Sequence, residues 1–290
     1  MIPLTYPTEA AHTLFPDLDL GDVRRLRRFA HVVQAIAHQP GAALPELFPS
    51  RSDYNACFQL FDSPHCTHQN IFAAHQEAAL LTMENHAGVI LLIHDGTLLD
   101  FSGHTTLEDE LGEIGNGNGL GWISHQTIAV DPTNRTIFGL ISQILHVREK
   151  AVPGESIAAK RERKSRESLL WSRAIQEIGP TPAGATWIDV GDRGADIFEF
   201  LQRLTTRRFV VRSTHNRALG TGSTEVRAKA FLHDTLRALP EQTCFELEIP
   251  GKAGKKPRIA ALSLAGQRVT IRPPHVKRGN YEPPLAANQL

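Results

Sequence analysis

The chain has 290 residues, 41% of them hydrophobic and 21% charged, and its formal net charge is zero. This is a globular composition, with enough chain to bury a sizeable core in one large domain or two small ones. It excludes a membrane span, because no run approaches the ~18 consecutive apolar residues a spanning helix needs. The Met1-Ile2-Pro3-Leu4 start lacks the basic residues and apolar stretch of a secretory signal, so the expected location is cytoplasmic.

Three cysteines, Cys57, Cys66 and Cys244, form no C-x-x-C pair and are odd in number, which argues against a disulfide framework. His65, Cys66 and His68 lie close together, but no second cluster follows to complete a metal site. Zero net charge hides an uneven distribution. Residues 251–280 contain no Asp or Glu and hold Lys252, Lys255, Lys256, Arg258, Arg268, Arg272, Lys277 and Arg278. Residues 201–224 are also acid-free and hold Arg203, Arg207, Arg208, Arg212 and Arg217. Such clusters suit a phosphate backbone, and they equally suit a solvated basic face.

In chain order, Pro3, Pro7 and Pro16 keep residues 1–18 extended. Asp22 caps a helix running to about His38, with Val23, Leu26, Ala30, Val33 and Ala37 on its inner face and Arg24, Arg25 and Arg28 directed elsewhere. Gln39-Pro40-Gly41 ends it. Helices follow near 52–61 and 67–85, the latter with Ile71, Ala74, Ala78 and Leu81 as its inner stripe. The pattern then changes. Val89-Ile90-Leu91-Leu92-Ile93 between glycines has the form of a buried central strand. Gly115 to Gly119 is a flexible loop, and strands near 122–130 and 136–147 are joined by Asp131-Pro132-Thr133-Asn134 as a hairpin. A helix near 165–178, a strand at 186–190, a helix at 195–204 and a strand at 208–213 complete a mixed α/β core. A helix near 227–238 and strands near 244–249 and 258–272 read as a separate β-rich module.

Two carboxylates occupy equivalent places, Asp95 after the first central strand and Asp192 after Trp187-Ile188-Asp189-Val190-Gly191. A carboxylate just past a buried strand is rigidly held and still reaches solvent, and a pair on neighbouring strands can bind hard cations for phosphoryl transfer. Asp residues at strand ends also serve simply to cap loops.

Several segments resemble the insertion-sequence DDE transposases related to that of the composite kanamycin-resistance transposon. Leu20-Gly21-Asp22-Val23-Arg24-Arg25 is similar to the family's N-terminal Leu-Gly-Asp-x-Arg-Arg, and Cys57 to Pro64 to its Ala-Tyr-Arg-Phe-Leu-Asp-Asn-Pro. His94-Asp95-Gly96-Thr97 resembles its Asp-Thr-Thr strand end, and Gly121 to His125 its Gly-x-x-x-His-Ser. Arg166-Glu167-Ser168 with Trp171 resembles Lys-Glu-Ser-x-Arg-Trp. Gly191 to Ile197 resembles Asp-Arg-Glu-Ala-Asp-Ile, and Arg208 to Ser213 resembles Arg-Phe-Val-Val-Arg-Ser. Ala261 to Leu264 resembles a strand of the family's inserted domain, and all the matches keep family order across nearly the whole chain.

The resemblance implies a helical DNA-binding domain over 1–86, a ribonuclease-H-like core over 87–215 and a partial β-rich insertion over 216–290. It implies cut-and-paste DNA transposition with Mg²⁺ or Mn²⁺ as cofactor. Asp95 and Asp192 become the first two catalytic, metal-binding acids, with Asp189 and Asp196 competing for the second place; Asp196 is the better helix cap. The expected partners are the DNA of transposon ends and a second copy or a full-length transposase. The expected DNA contacts are Arg24, Arg25, Arg28, Arg208, Arg212, Lys255, Lys256 and Arg258.

The departures are Gly96, Gly194, Leu170 and Gln59, and above all the ending. The family's third acid is a Glu on a late helix, following a Tyr and an Arg. Tyr281 is followed by Glu282-Pro283-Pro284, which cannot be helical. The chain is therefore expected to be C-terminally truncated. A non-catalytic DNA-binding or regulatory fragment is the alternative reading. A nuclease recruiting Glu246 or Glu248 is a third, although these alternate with apolar residues as an ordinary strand face does.

Overall fold

A computed structural model describes residues 13–115, 119–150, 152–156, 159, 163–220, 230–252 and 254–273. The predicted Asn-Gly loop at 116–118, residues 1–12 of the segment expected to be extended, and Lys277, Arg278 and Tyr281 lie outside the described residues; residues 13–17 of that segment are helical and turned rather than extended.

The N-terminal helices are α1 (Val23–His38), α2 (Leu44–Leu47), α3 (Arg51–Phe61) and α4 (His68–Glu84). Their starts follow local chemistry. The Asp22 side chain accepts from Arg24 N at the head of α1, and Thr67 accepts from Asn70 N at the head of α4. The inner face of α1 is rotated from the predicted stripe. Phe29 and Val32 are buried with Leu26 and Val33 packed beside them, while Val23 is 61% exposed. The stripe of α4 is shifted likewise: Ala74, Ala79 and Met83 are buried and Leu81 is exposed. In both helices the side that finds a partner won over the side with the longest apolar spacing.

Helix α4 takes part in two cores. Ala74 belongs to the helical cluster with Leu20, Phe29, Val32, Cys57 and Leu60. Ala79 and Met83 pack with Ile90, Leu92, Ala129, Ile141, Ile178 and Trp187 of the sheet region. Burying each large apolar side chain in these clusters contributes roughly 1.5–3 kcal/mol. Polar side chains of α4 also meet the backbone of the neighbouring strand, with Gln76 Nε2 donating to Ile141 O at 2.7 Å and Leu140 N donating to His75 Nε2 at 3.0 Å.

The sheet contains β1 (Val89–Asp100), β2 (Gly112–Ile114), β3 (Gly119–Val130), β4 (Ile137–His146), β5 (Thr186–Gly191) and β6 (Arg208–Val211). Its order is β2-β3-β1-β5-β6, with β4 also paired to β3. β1 runs antiparallel to β3 and parallel to β5, so the sheet is mixed. The predicted hairpin of β3 and β4 is present, closed by an Asp131 side chain that accepts from Thr133 N at 2.7 Å. A ten-residue pairing along Leu91–Asp100 extends β1 beyond the apolar run that signals it in the sequence. Helix α5 (Leu170–Ile178) packs its buried Leu170 and Ala174 against Ile123 and Ile144 of β3 and β4.

The chain divides into two compact units, residues 1–191 with 206–210, and residues 192–205 with 211–290. The second holds α6 (Phe198–Arg203), shorter than the predicted helix, α7 (Leu232–Arg237) and an antiparallel pair, β7 (Thr243–Ile249) with β8 (Arg258–Leu264). The architecture is mixed α/β with a mixed sheet and several helices. No helix among the described residues is long and apolar enough to cross a membrane.

Candidate functional site

Helix α1 carries the predicted N-terminal cations, and they differ in availability. The Arg24 side chain is 86% exposed and pairs with Asp22 Oδ2 at 3.4 Å. Arg25 Nη1 donates to Leu20 O at 2.9 Å, which ties the helix start to the preceding segment. Arg28 Nη1 donates to Asp53 Oδ1 at 2.8 Å and bridges α1 to α3. That hydrogen bond is the main reason the Asp53 carboxyl sits below the usual carboxylate range. The backbone N–H of Arg24 does the same for Asp22. Arg27, which the sequence reading passed over, is exposed. Its spacing from Arg24 is i,i+3, so with Arg28 and the exposed His31 it continues one face of the helix; that spacing was the available signal.

The candidate acids are sorted by their partners. Asp95 is exposed and lies inside β1, paired with Gln126, rather than at the strand end. The strand continues because β3 goes on pairing with it, whereas the parallel ladder to β5 stops at His94 with Gly191. Asp95 and Asp192 are the residues that follow those two positions. Asp95 Oδ1 accepts from Gly96 N at 2.8 Å, and Asp192 Oδ1 accepts from Gly194 N at 2.7 Å. Each leaves its second carboxylate oxygen without a protein hydrogen-bond partner among the described residues.

The two competitors of Asp192 are committed elsewhere. Asp189 is fully buried; it accepts from Arg207 Nε at 2.6 Å and is 2.8 Å from His94 Nε2. Asp196 does not cap the start of α6, whose N-cap residue is Ile197. It accepts from Thr214 N at 2.6 Å, His215 N at 2.8 Å and Arg217 Nη2 at 2.6 Å, holding the loop that follows β6. Burial works to raise its pKa, and the hydrogen bonds from His215, Thr214 and Arg217 outweigh that and keep it low. Of the three acids, Asp192 alone is exposed.

Beneath β1 lies a buried polar network that the sequence did not announce. His94 Nδ1 is 2.9 Å from Thr127 Oγ1, and Arg207 Nη1 also donates to Gly179 O at 2.7 Å. Beside it His125 is fully buried, with neither ring nitrogen partnered among the described residues and Trp171 edge-on at 4.8 Å. Burial, with the nearby His94 adding to it, pushes the His125 imidazole down to about 3, so it is neutral.

The remaining predicted cations, Arg208 and Arg212 around β6 and Lys255, Lys256 and Arg258 before and at the start of β8, are all exposed. Among the described residues no group of three or more His, Cys, Asp or Glu side chains is arranged to hold a metal ion. Residues 7–66, a stretch that contains α1 to α3, match the family model described as Transposase DNA-binding. The match indicates a transposase DNA-binding domain over these residues and supports DNA as their partner. No curated protein matches the chain.

Proposed function

We propose that the chain is a DNA transposase polypeptide of the DDE type. In this reading the helical N-terminal domain holds transposon-end DNA, and a ribonuclease-H-like core carries Asp95 and Asp192 as metal-binding acids. The observation that carries the reading is the transposase DNA-binding match over 7–66, on helices that present exposed Arg24 and Arg27. The mixed sheet, with antiparallel β3 and parallel β5 flanking β1, supports the ribonuclease-H-like assignment.

Guanidinium groups on α1 neutralise phosphates and set affinity without reading sequence, while base contacts select the ends. Asp95 and Asp192 offer hard carboxylate oxygens, the donor type that Mg²⁺ and Mn²⁺ prefer, and Asp189 and Asp196 do not compete because arginines already hold them. When bound, such ions supply Lewis-acid stabilisation of the attacking and leaving oxygens in phosphodiester displacement. The cytoplasm, where DNA is reached, and a second copy or full-length transposase as partner belong to the same reading.

The test has two arms on the purified 290-residue chain. Duplex DNA binding followed by fluorescence anisotropy should be strongly salt-dependent and weakened by Arg24→Ala; salt-independent or absent binding would overturn the DNA reading. Mn²⁺ binding followed by electron paramagnetic resonance should weaken in both Asp95→Asn and Asp192→Asn. Unchanged binding in either would remove that residue from the metal role. A regulatory role through DNA binding alone uses the same 7–66 segment. Robust Mg²⁺-dependent cleavage of a transposon end, abolished by Asp192→Asn, would exclude it.

A further inference from the structure

The second compact unit contains a cleft of about 510 Å³ lined by Arg193, Ser213, Thr214, His233, Leu236 and Arg237. That size lies within the ~300–1,000 Å³ of small-ligand sites. From this cleft we infer a binding site for a phosphate group, separate from the helical DNA-binding domain.

The wall of the cleft is built by the network around Asp196. Its carboxylate takes the Thr214 and His215 N–H groups and the Arg217 guanidinium, which fixes the loop from Ser213 to Arg217. Arg217 offsets its charge at 2.6 Å, so Asp196 does not set a bare negative charge behind the cleft. Ser213 Oγ lies 2.9 Å from His233 Nε2 and holds the imidazole in place, while His233 N donates to Asn216 Oδ1 at 2.8 Å.

The groups facing the cleft are left for a ligand. The Arg193 guanidinium and the Thr214 hydroxyl have no partner among the described residues. Arg237 has only Asp234, at 3.7 Å and with both side chains mostly exposed, a pairing too weak to hold it. Asp234 is itself shared with Asn216 Nδ2 at 3.0 Å. Two guanidinium groups, an imidazole and a hydroxyl against one shared, solvent-facing carboxylate make a cationic concavity. Guanidinium forks match the oxygen spacing of phosphate bidentately, and a small oxyanion with several acceptor oxygens uses all four groups. A carboxylate ligand would use fewer.

The experiment follows the His233 ring resonance, assigned with His233→Gln, by NMR of the full chain while inorganic phosphate is added. A saturable shift with a millimolar midpoint is expected, and Arg193→Gln/Arg237→Gln should raise that midpoint at least tenfold. Both arginines are on the surface, so the double variant should retain the fold, which the unchanged remaining histidine resonances would verify. No saturable shift, or the same midpoint in the double variant, would overturn the site. A short duplex without transposon sequence separates the sources. Displacement of phosphate by the duplex assigns the site to a DNA phosphate, and retention assigns it to a small phosphorylated compound. Arg24→Ala should leave the phosphate titration unchanged, so failure of the N-terminal DNA reading and failure of this site are read separately.

Discussion

Arg207 Nε donates to Asp189 Oδ2 at 2.6 Å, with 5% of the Arg207 side chain exposed and none of Asp189. Next to them, His94 Nε2 reaches the other carboxylate oxygen at 2.8 Å. A buried guanidinium held this way gains little over an apolar pair, but loss of its partner strands a charge in the core. Asp189→Asn is therefore expected to destabilise the chain by about 3–5 kcal/mol in urea unfolding. The double variant Asp189→Leu/Arg207→Met should recover much of the loss. A single variant within about 1 kcal/mol of the parent would mean that water reaches the pair.

Arg24 and Arg28 stand on the same face of α1 and should respond differently to substitution. Arg24→Ala should weaken DNA binding to all sequences and lower the salt slope by about one, with the unfolding midpoint unchanged. Arg28→Ala removes the Asp53 link between α1 and α3, so it should lower the unfolding midpoint as well. Equal unfolding midpoints for the two variants would show that the Arg28–Asp53 contact contributes nothing to the fold.

His125 imposes a pH dependence of definite sign. Its folded-state pKa is about 3, below the ordinary value of 6.5, so between those limits the unfolded chain binds a proton that the folded chain refuses. Stability should fall as pH drops through this window, by up to about 1.4 kcal/mol per pH unit from this group. His125→Phe keeps a ring against Trp171 and has no nitrogen to protonate. Its stability, measured by urea unfolding from pH 7 to 4, should decline less steeply than that of the parent. Parallel curves would indicate that water or another donor already serves His125 in the fold.

Gly121 and Gly96 make a matched pair of strand glycines. A Cβ at Gly121 would run into the carbonyl oxygen of Leu99 on β1, a backbone atom that cannot step aside, whereas a Cβ at Gly96 meets nothing within 4 Å. Gly121→Ala is expected to lower stability by about 1–3 kcal/mol through local overpacking, and Gly96→Ala to be neutral or better. The comparison is made by urea unfolding midpoint, and equal midpoints would mean that β1 and β3 separate there without cost.

Much of the fold was legible from local chemistry. The Asp22 cap, the Gln39-Pro40-Gly41 stop, the Asp131 turn and the apolar run of β1 each act within a few residues, so their physics is written in adjacent side chains. The resemblance ran across nearly the whole chain and implied a DNA-binding domain over 1–86; residues 7–66 match a transposase DNA-binding model. Helix faces were less legible. Val23 and Leu81 fit an amphipathic spacing and are exposed, because the side that packs is chosen by neighbours distant in the chain. The same holds for the candidate acids. Asp189, Asp192 and Asp196 look alike within one short segment. Their roles are separated by Arg207, 18 residues from Asp189, by Arg217, 21 residues from Asp196, and by His94, 95 residues from Asp189. A carboxylate becomes structural or available according to which cation folding brings to it, and only the tertiary structure decides that. The length of β1 beyond Asp95 was settled the same way, since a strand continues for as long as a neighbour offers it hydrogen bonds.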